Sequence, residues 1–224
     1  MTETAPRLRI TRRSGKVRVV AVPGAALAVE GGTFSPGVDG VIDIRSRARS
    51  VLEVRCAAGS DLTISTSSGA IDVRGDAGSV KVTTKSGALA IERATAVDAR
   101  GASGRVDVGA CAGSCRVAYV SSDVHIGAAG SATVATVSGN IDVDDVGDAE
   151  VKTVSGRVSL GARGGGLLAA RSISGSIDIS VPLGSRPKTR LKAVSGRIRS
   201  DCETGHDGEI RAVSVSGAIS VTCR

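Results

Sequence analysis

Apolar side chains in this chain fall on alternate positions in short runs, and the runs are broken by one recurring dipeptide. Ser68-Gly69 is followed by Ile71 and Val73, Ser86-Gly87 by Leu89 and Ile91, and Ser103-Gly104 by Val106 and Val108. Ser138-Gly139 leads to Ile141 and Val143, Ser155-Gly156 to Val158 and Leu160, and Ser174-Gly175 to Ile177 and Ile179. Ser195-Gly196 and Ser216-Gly217 continue the series, and Ser121-Ser122 opens a copy with Ser122 in the glycine's place. A period of two puts alternate side chains into a core, so each run predicts a strand. A second strand of the same alternation precedes each dipeptide, as in Leu62/Ile64/Thr66, Val80/Val82/Thr84 and Val151/Thr153. The unit is strand, Ser-Gly bend, strand, loop.

The glycine places, 69, 87, 104, 122, 139, 156, 175, 196 and 217, are separated by 18, 17, 18, 17, 17, 19, 21 and 21 residues. Near-constant spacing over nine copies is the signature of a stacked repeat. An antiparallel meander would not impose one sequence on every copy, whereas stacked coils set equivalent positions side by side and reward sameness. The predicted fold is all-β, a single-stranded parallel β-solenoid with coils of about 17–21 residues, right-handed by the general preference of parallel crossovers. Its inward ladder is Ile71, Leu89, Val106, Val124, Ile141, Val158, Ile177, Ile198 and Ile219. Thr66, Thr84, Thr136, Thr153, Ser172 and Ser214 stand two places before the bend serine, where a small hydroxyl residue fits a tight corner and bonds along the stack. The bend serines are architecture, since none has a visible base.

Residues 1–40 are less regular and are expected to form a cap with first strands of the same domain, with the repeat domain at 41–224. Ser14-Gly15-Lys-Val-Arg-Val and Asp39-Gly40-Val-Ile-Asp-Ile read as early copies of the bend, and 181–188, with two prolines, as an outward loop.

Composition sharpens this picture. Phe34 and Tyr119 are the only aromatic residues and Trp is absent, so the interior is Val, Ile, Leu and Ala in thin layers. Nothing resembles a transmembrane span or a secretory leader, which gives a cytoplasmic expectation, with an envelope-associated alternative if a leader was removed. Five cysteines in such a chain read as reduced small thiols, and Cys111 and Cys115 are too far apart for a CxxC metal motif. The net charge of +7 admits an anionic polymer or another protein as partner. Specific nucleic-acid binding is not expected, because stacking aromatics and reading motifs are missing.

The units Thr136-Val-Ser-Gly-Asn-Ile-Asp-Val143 and Thr153-Val-Ser-Gly-Arg-Val-Ser-Leu160 resemble the bacterial putative-adhesin family of β-strand-repeat proteins. That resemblance implies a parallel β-solenoid over about residues 40 to 224 and no established activity. The architecture is more distantly similar to bactofilins, which implies end-to-end polymerisation as an alternative.

The outward positions after each glycine form the candidate binding ladder: Asp72, Arg105, Asp107, Asp142, Arg157, Asp178 and Arg197. Carboxylates on alternate coils would stand roughly 10 Å apart, too far to share a proton. No catalytic, cofactor-binding or metal residue is assigned, and no cofactor is expected. The function expected is a non-enzymatic structural or binding scaffold that self-associates, preferentially as a dimer, through an uncovered solenoid end at the last copy, 213–224. A polysaccharide-binding or polysaccharide-cleaving β-helix using Asp107, Asp142 and Arg157 is the enzymatic alternative.

Overall fold

The computed structural model describes residues 6–46 and 50–224. Its contacts divide the chain into two compact units, Met1–Ala112 and Gly113–Arg224. Both are all-β parallel solenoids.

In the first unit the strands are β1 (Arg7–Ser14), β2 (Val17–Val22), β3 (Ala28–Glu30), β4 (Thr33–Pro36), β5 (Val41–Ser46), β6 (Leu52–Ala57), β7 (Asp61–Ser68), β8 (Ile71–Ser86) and the start of β9 (Leu89–Ala135). Layers do not follow chain order. β1 pairs in parallel with β5 on one side and β7 on the other, and β2 likewise lies between β6 and β8. Residues 7–22 are therefore the first strands expected in this stretch, and they form a full inner layer. The outermost layer is β5 and β6, covered by β4, antiparallel on β5, and β3, antiparallel on β6. Under that cover Ile44, Leu52 and Val54 are 0% exposed.

Gly40 is not a bend glycine. β5 pairs with the strand that precedes the Ser14-Gly15 bend, and Ser46 falls opposite Arg12. Arg12 occupies the place that threonine holds in the next layer, opposite Thr66, and is 3% exposed. Its guanidinium donates to the carbonyls of Ser14 at 2.6 Å, Lys16 at 3.0 Å and Ser50. A buried cation so surrounded by carbonyl oxygens is structural.

The second unit holds the rest of β9, then β10 (Ile141–Ser155), β11 (Val158–Ala162), β12 (Leu167–Ser174), β13 (Ile177–Val181), β14 (Lys188–Ser195), β15 (Ile198–Ser200), β16 (Glu209–Ser216) and β17 (Ile219–Cys223). Order is exchanged here too. β16 lies between β12 and β14, and β17 between β13 and β15. The last layer in sequence is thus internal, and the outermost layer is β14 with β15. This corrects the expectation that 213–224 forms the open end.

The inward ladder is confirmed for Ile71, Leu89, Val106, Val124, Ile141, Val158, Ile177 and Ile219, all 0–2% exposed. Ile198 departs from it at 43%, because its layer is outermost. The threonine column is buried as expected, but its hydroxyls mostly close their own bend: Thr66, Thr84 and Thr153 each donate to the carbonyl two residues on at 3.1 Å. Along the stack, Thr136 donates to Thr153 at 3.2 Å. Tyr119 takes a threonine place, is 5% exposed, and burial pushes its phenol up to about 12.

Cys202, just after β15, is disulfide-bonded to Cys223 in β17, with Cα atoms 5.6 Å apart. These two are therefore not the reduced thiols expected, while Cys56, Cys111 and Cys115 carry no disulfide and are buried. The bridge spans 21 residues and ties the outermost layer to its neighbour. Closing a loop of that size restricts the unfolded chain by roughly 3 kcal/mol. Reducing agent is expected to lower the unfolding free energy by about 3 kcal/mol, and a Cys202→Ala/Cys223→Ala variant to match the reduced protein. An unchanged urea midpoint in reductant would show that the bridge carries no stability.

Candidate functional site

The outward ladder after the bends divides between the units. In the first, Asp72 follows Gly69 on β8 and is the most enclosed member, with Arg74 at 3.2 Å and Lys16 and Arg18 both at 3.7 Å. The exchanged layer order creates this cluster, since it places Arg18 directly opposite Asp72. Arg105 and Asp107 are exposed on β9.

In the second unit Asp142, Ser159 and Asp178 are in register across β10, β11 and β13. The two carboxylates are therefore two layers apart, about 10 Å at the ordinary strand spacing. Arg157 reaches Asp178 at 4.0 Å, and its backbone N–H donates to the side-chain oxygen of Asn140 at 3.1 Å. Ser220 stands between Asp178 and Arg199, because β17 separates β13 from β15. Arg197 is exposed at the outermost layer. His125, directly opposite Asp142, has Nδ1 4.0 Å from Asp142 and Nε2 3.7 Å from Asp144. Three possible ligand atoms within 4.8 Å are a grouping that adjacent outward positions produce, at distances of loose ion pairs in solvent.

A different side of the second unit has the more developed surface. The residue before each bend serine is apolar and points outward: Val120, Val137, Val154, Ile173, Val215 and Val194, from 41% to 74% exposed. Pairing of the neighbouring serines sets these side chains in one row. Six adjacent layers make a ridge about 24 Å long. In the first unit the same place holds Arg13, Ser67, Lys85 and Ala102. Among the described residues the apolar ridge belongs to the second unit alone.

Beside the ridge lies a groove of about 630 Å³. Its apolar lining includes Leu167, Ala169 and Val213, and cationic side chains stand over it. Two of these cations are occupied by Glu209: Arg211 donates to it at 2.8 Å, and Arg190 lies 3.3 Å away. The Arg211 hydrogen bond, with the positive charge around it, holds the Glu209 carboxyl below its usual range. Lys152, on the ladder between groove and ridge, similarly holds Glu150 low through a 2.7 Å contact. Arg171 and Lys192 face the groove without a hydrogen bond or close ion pair to any described residue, and the Arg171 charge helps hold Glu150 low from a longer distance. The arrangement is two cations that make no hydrogen bond, over apolar carbon, flanked by an exposed branched-chain row. It suits an anionic group attached to an apolar body.

Sequence reasoning did not pick out this surface, although its signal was present in the Val/Ile residue before the serine in every late copy.

No curated protein matches the chain. Among solved structures it is similar to a putative adhesin from Bacteroides fragilis, at 12% identity over 96% of this chain and 91% of that one, with a TM-score of 0.42. It is also similar to a putative cell adhesion protein from Clostridium sporogenes, at 10% identity over 98% and 93%, with a TM-score of 0.23. The family model described as Toastrack DUF4097 matches residues 7–222, and the chain belongs to that family.

Proposed function

We propose that the protein is a non-enzymatic, adhesin-like binding scaffold whose working face is the ridge and groove of the second unit, and that it takes an anionic partner bearing apolar groups. The observation that carries this reading is the pair Arg171 and Lys192, cations with no hydrogen-bond partner among the described residues, above an apolar lining. Contiguous exposed apolar surface rimmed by charge is characteristic of interaction sites. The absence of enzymatic activity is part of the proposal, supported by the two-layer separation of Asp142 and Asp178, which cannot work on one bond as a proton-sharing pair. The Cys202–Cys223 bridge supports an oxidising, envelope-associated setting over the cytoplasm.

Retention on a poly-glutamate matrix tests the site. The expected result is elution at clearly lower salt for Arg171→Ser/Lys192→Ser than for wild type, with Lys81→Ser/Lys85→Ser, which removes equal charge from the first unit, close to wild type. Equal shifts for both double variants would mean that net charge alone retains the protein, and would overturn the assignment.

A further inference from the structure

The outer sides of the two units' outermost layers differ. At β5 and β6 the chain covers its own edge with the antiparallel strands β4 and β3, and the core beneath is sealed, with Ile44 and Val54 at 0% exposure. At β14 and β15 no described strand lies on the outer side. β14 pairs only with β16, and β15 only with β17. The core is open there: Ile198 is 43% exposed where Ile219, its neighbour one layer in, is 1% exposed, and Leu191 is half-buried where its neighbour Ala212 is buried. β14 is also long, flat in pattern and free of proline, alternating Thr189, Leu191 and Ala193 on the core side with Lys188, Arg190 and Lys192 on the solvent side.

We infer that the edge of β14 is a docking site for an extended acidic polypeptide segment, which adds as one more strand and closes the core of the second unit as β3 and β4 close that of the first. The inference rests on the reading of the second unit as a surface for an anionic partner, and it names that partner's chemistry and geometry. Backbone groups along an uncovered edge are unpaired, so a strand added there gains main-chain hydrogen bonds whatever its sequence. Side chains then select. Core-side positions of the incoming strand would lie beside Thr189, Leu191 and Ala193 and favour apolar residues. Solvent-side positions would lie beside Lys188, Arg190 and Lys192, of which Arg190 is already paired with Glu209, and the excess positive charge would favour Glu or Asp, since opposite charges on adjacent strands attract and like charges repel. A second copy offering the same edge would set cations against cations. The charge therefore favours an acidic strand from another protein over self-pairing.

The probe is a synthetic eight-residue peptide alternating Val and Glu, with three companions: the Val/Lys peptide, and two Val/Glu peptides N-methylated on one or the other set of alternate amides. A strand added to a single edge uses only alternate N–H groups, so one methylated peptide should bind at least tenfold more weakly while the other binds like the parent. The Val/Lys peptide should not bind measurably. Bound Val/Glu peptide should slow amide exchange of residues 188–195 by tenfold or more in the otherwise unmodified protein. Equal binding of both methylated peptides, or exchange protection confined to the 150–173 side of the groove, would overturn strand addition. A protein that is already dimeric, with 188–195 protected before peptide is added, would overturn the choice of occupant. Failure of the groove reading is separable: poly-glutamate retention that survives Arg171→Ser/Lys192→Ser, together with peptide-induced protection at 188–195, would leave the edge standing without the groove.

Discussion

Replacing Ile141 by Asp is expected to destabilise the second unit by about 5 kcal/mol, while Asp142→Ser one residue away changes stability by about 0.5 kcal/mol or less. Ile141 is 1% exposed, between Val124 and Val158 in the adjoining layers. A carboxylate there loses the apolar burial of the isoleucine, worth roughly 2–3 kcal/mol, and enters a dry layer whose neighbouring side chains offer no hydrogen-bond donor. Asp142 points into solvent, and its contact with His125 is a loose 4.0 Å. An exposed pair of that kind contributes little. Urea denaturation of the two variants measures the difference, and similar midpoints would mean that the inward and outward faces have been assigned the wrong way round.

Gly156→Ala is expected to cost about 4 kcal/mol, combining backbone strain with forced displacement of a neighbouring layer. Gly156 has φ 123°, and a Cβ built on it would stand 2.1 Å from the carbonyl oxygen of Gly139 and 2.8 Å from its carbonyl carbon. Nothing flexible can yield there, because the obstacle is main chain held in the stack. Gly165 supplies the control. Its φ is also positive, at 79°, but a Cβ there meets nothing within 4 Å, so Gly165→Ala should cost only the conformational penalty of about 1 kcal/mol. Thermal unfolding of the pair separates close approach from dihedral preference, and equal losses would refute the stacking argument.

The alternation after each Ser-Gly bend made the inward ladder legible, and two prolines made the 182–187 loop legible, because both are local consequences of side-chain type. The order of layers was not legible. Ser216 pairs with Ser174 on one side and Ser195 on the other, and the three copies are so alike that sequence gives no preference among possible neighbours. Only the longer spacings late in the chain hinted that a connection had room to pass over a layer. The Cys202–Cys223 pairing was hidden for the same reason, since it joins layers whose adjacency depends on that exchange. Arg12 was readable in principle. It stands two places before Ser14, where later copies carry threonine, and that position is an inner corner rather than surface. The groove escaped notice because its cations come from β12 and β14, which are not adjacent layers, with β16 between them.

The exchanged layers also govern the order in which a nascent chain can finish folding. β14 and β15 leave the ribosome before β16 and β17, yet the site against which they pack is made of those two later strands. Until Glu209–Cys223 has been synthesised, the strands of 188–200 have no native neighbour and must wait unpaired beside the finished edge of β12 and β13. Docking them there directly would be a near-isosteric mistake, since the bend serines and alternating apolar residues match almost as well. A chain stopped short of Glu209 is therefore predisposed to close in the wrong order, leaving Cys202 without its partner thiol.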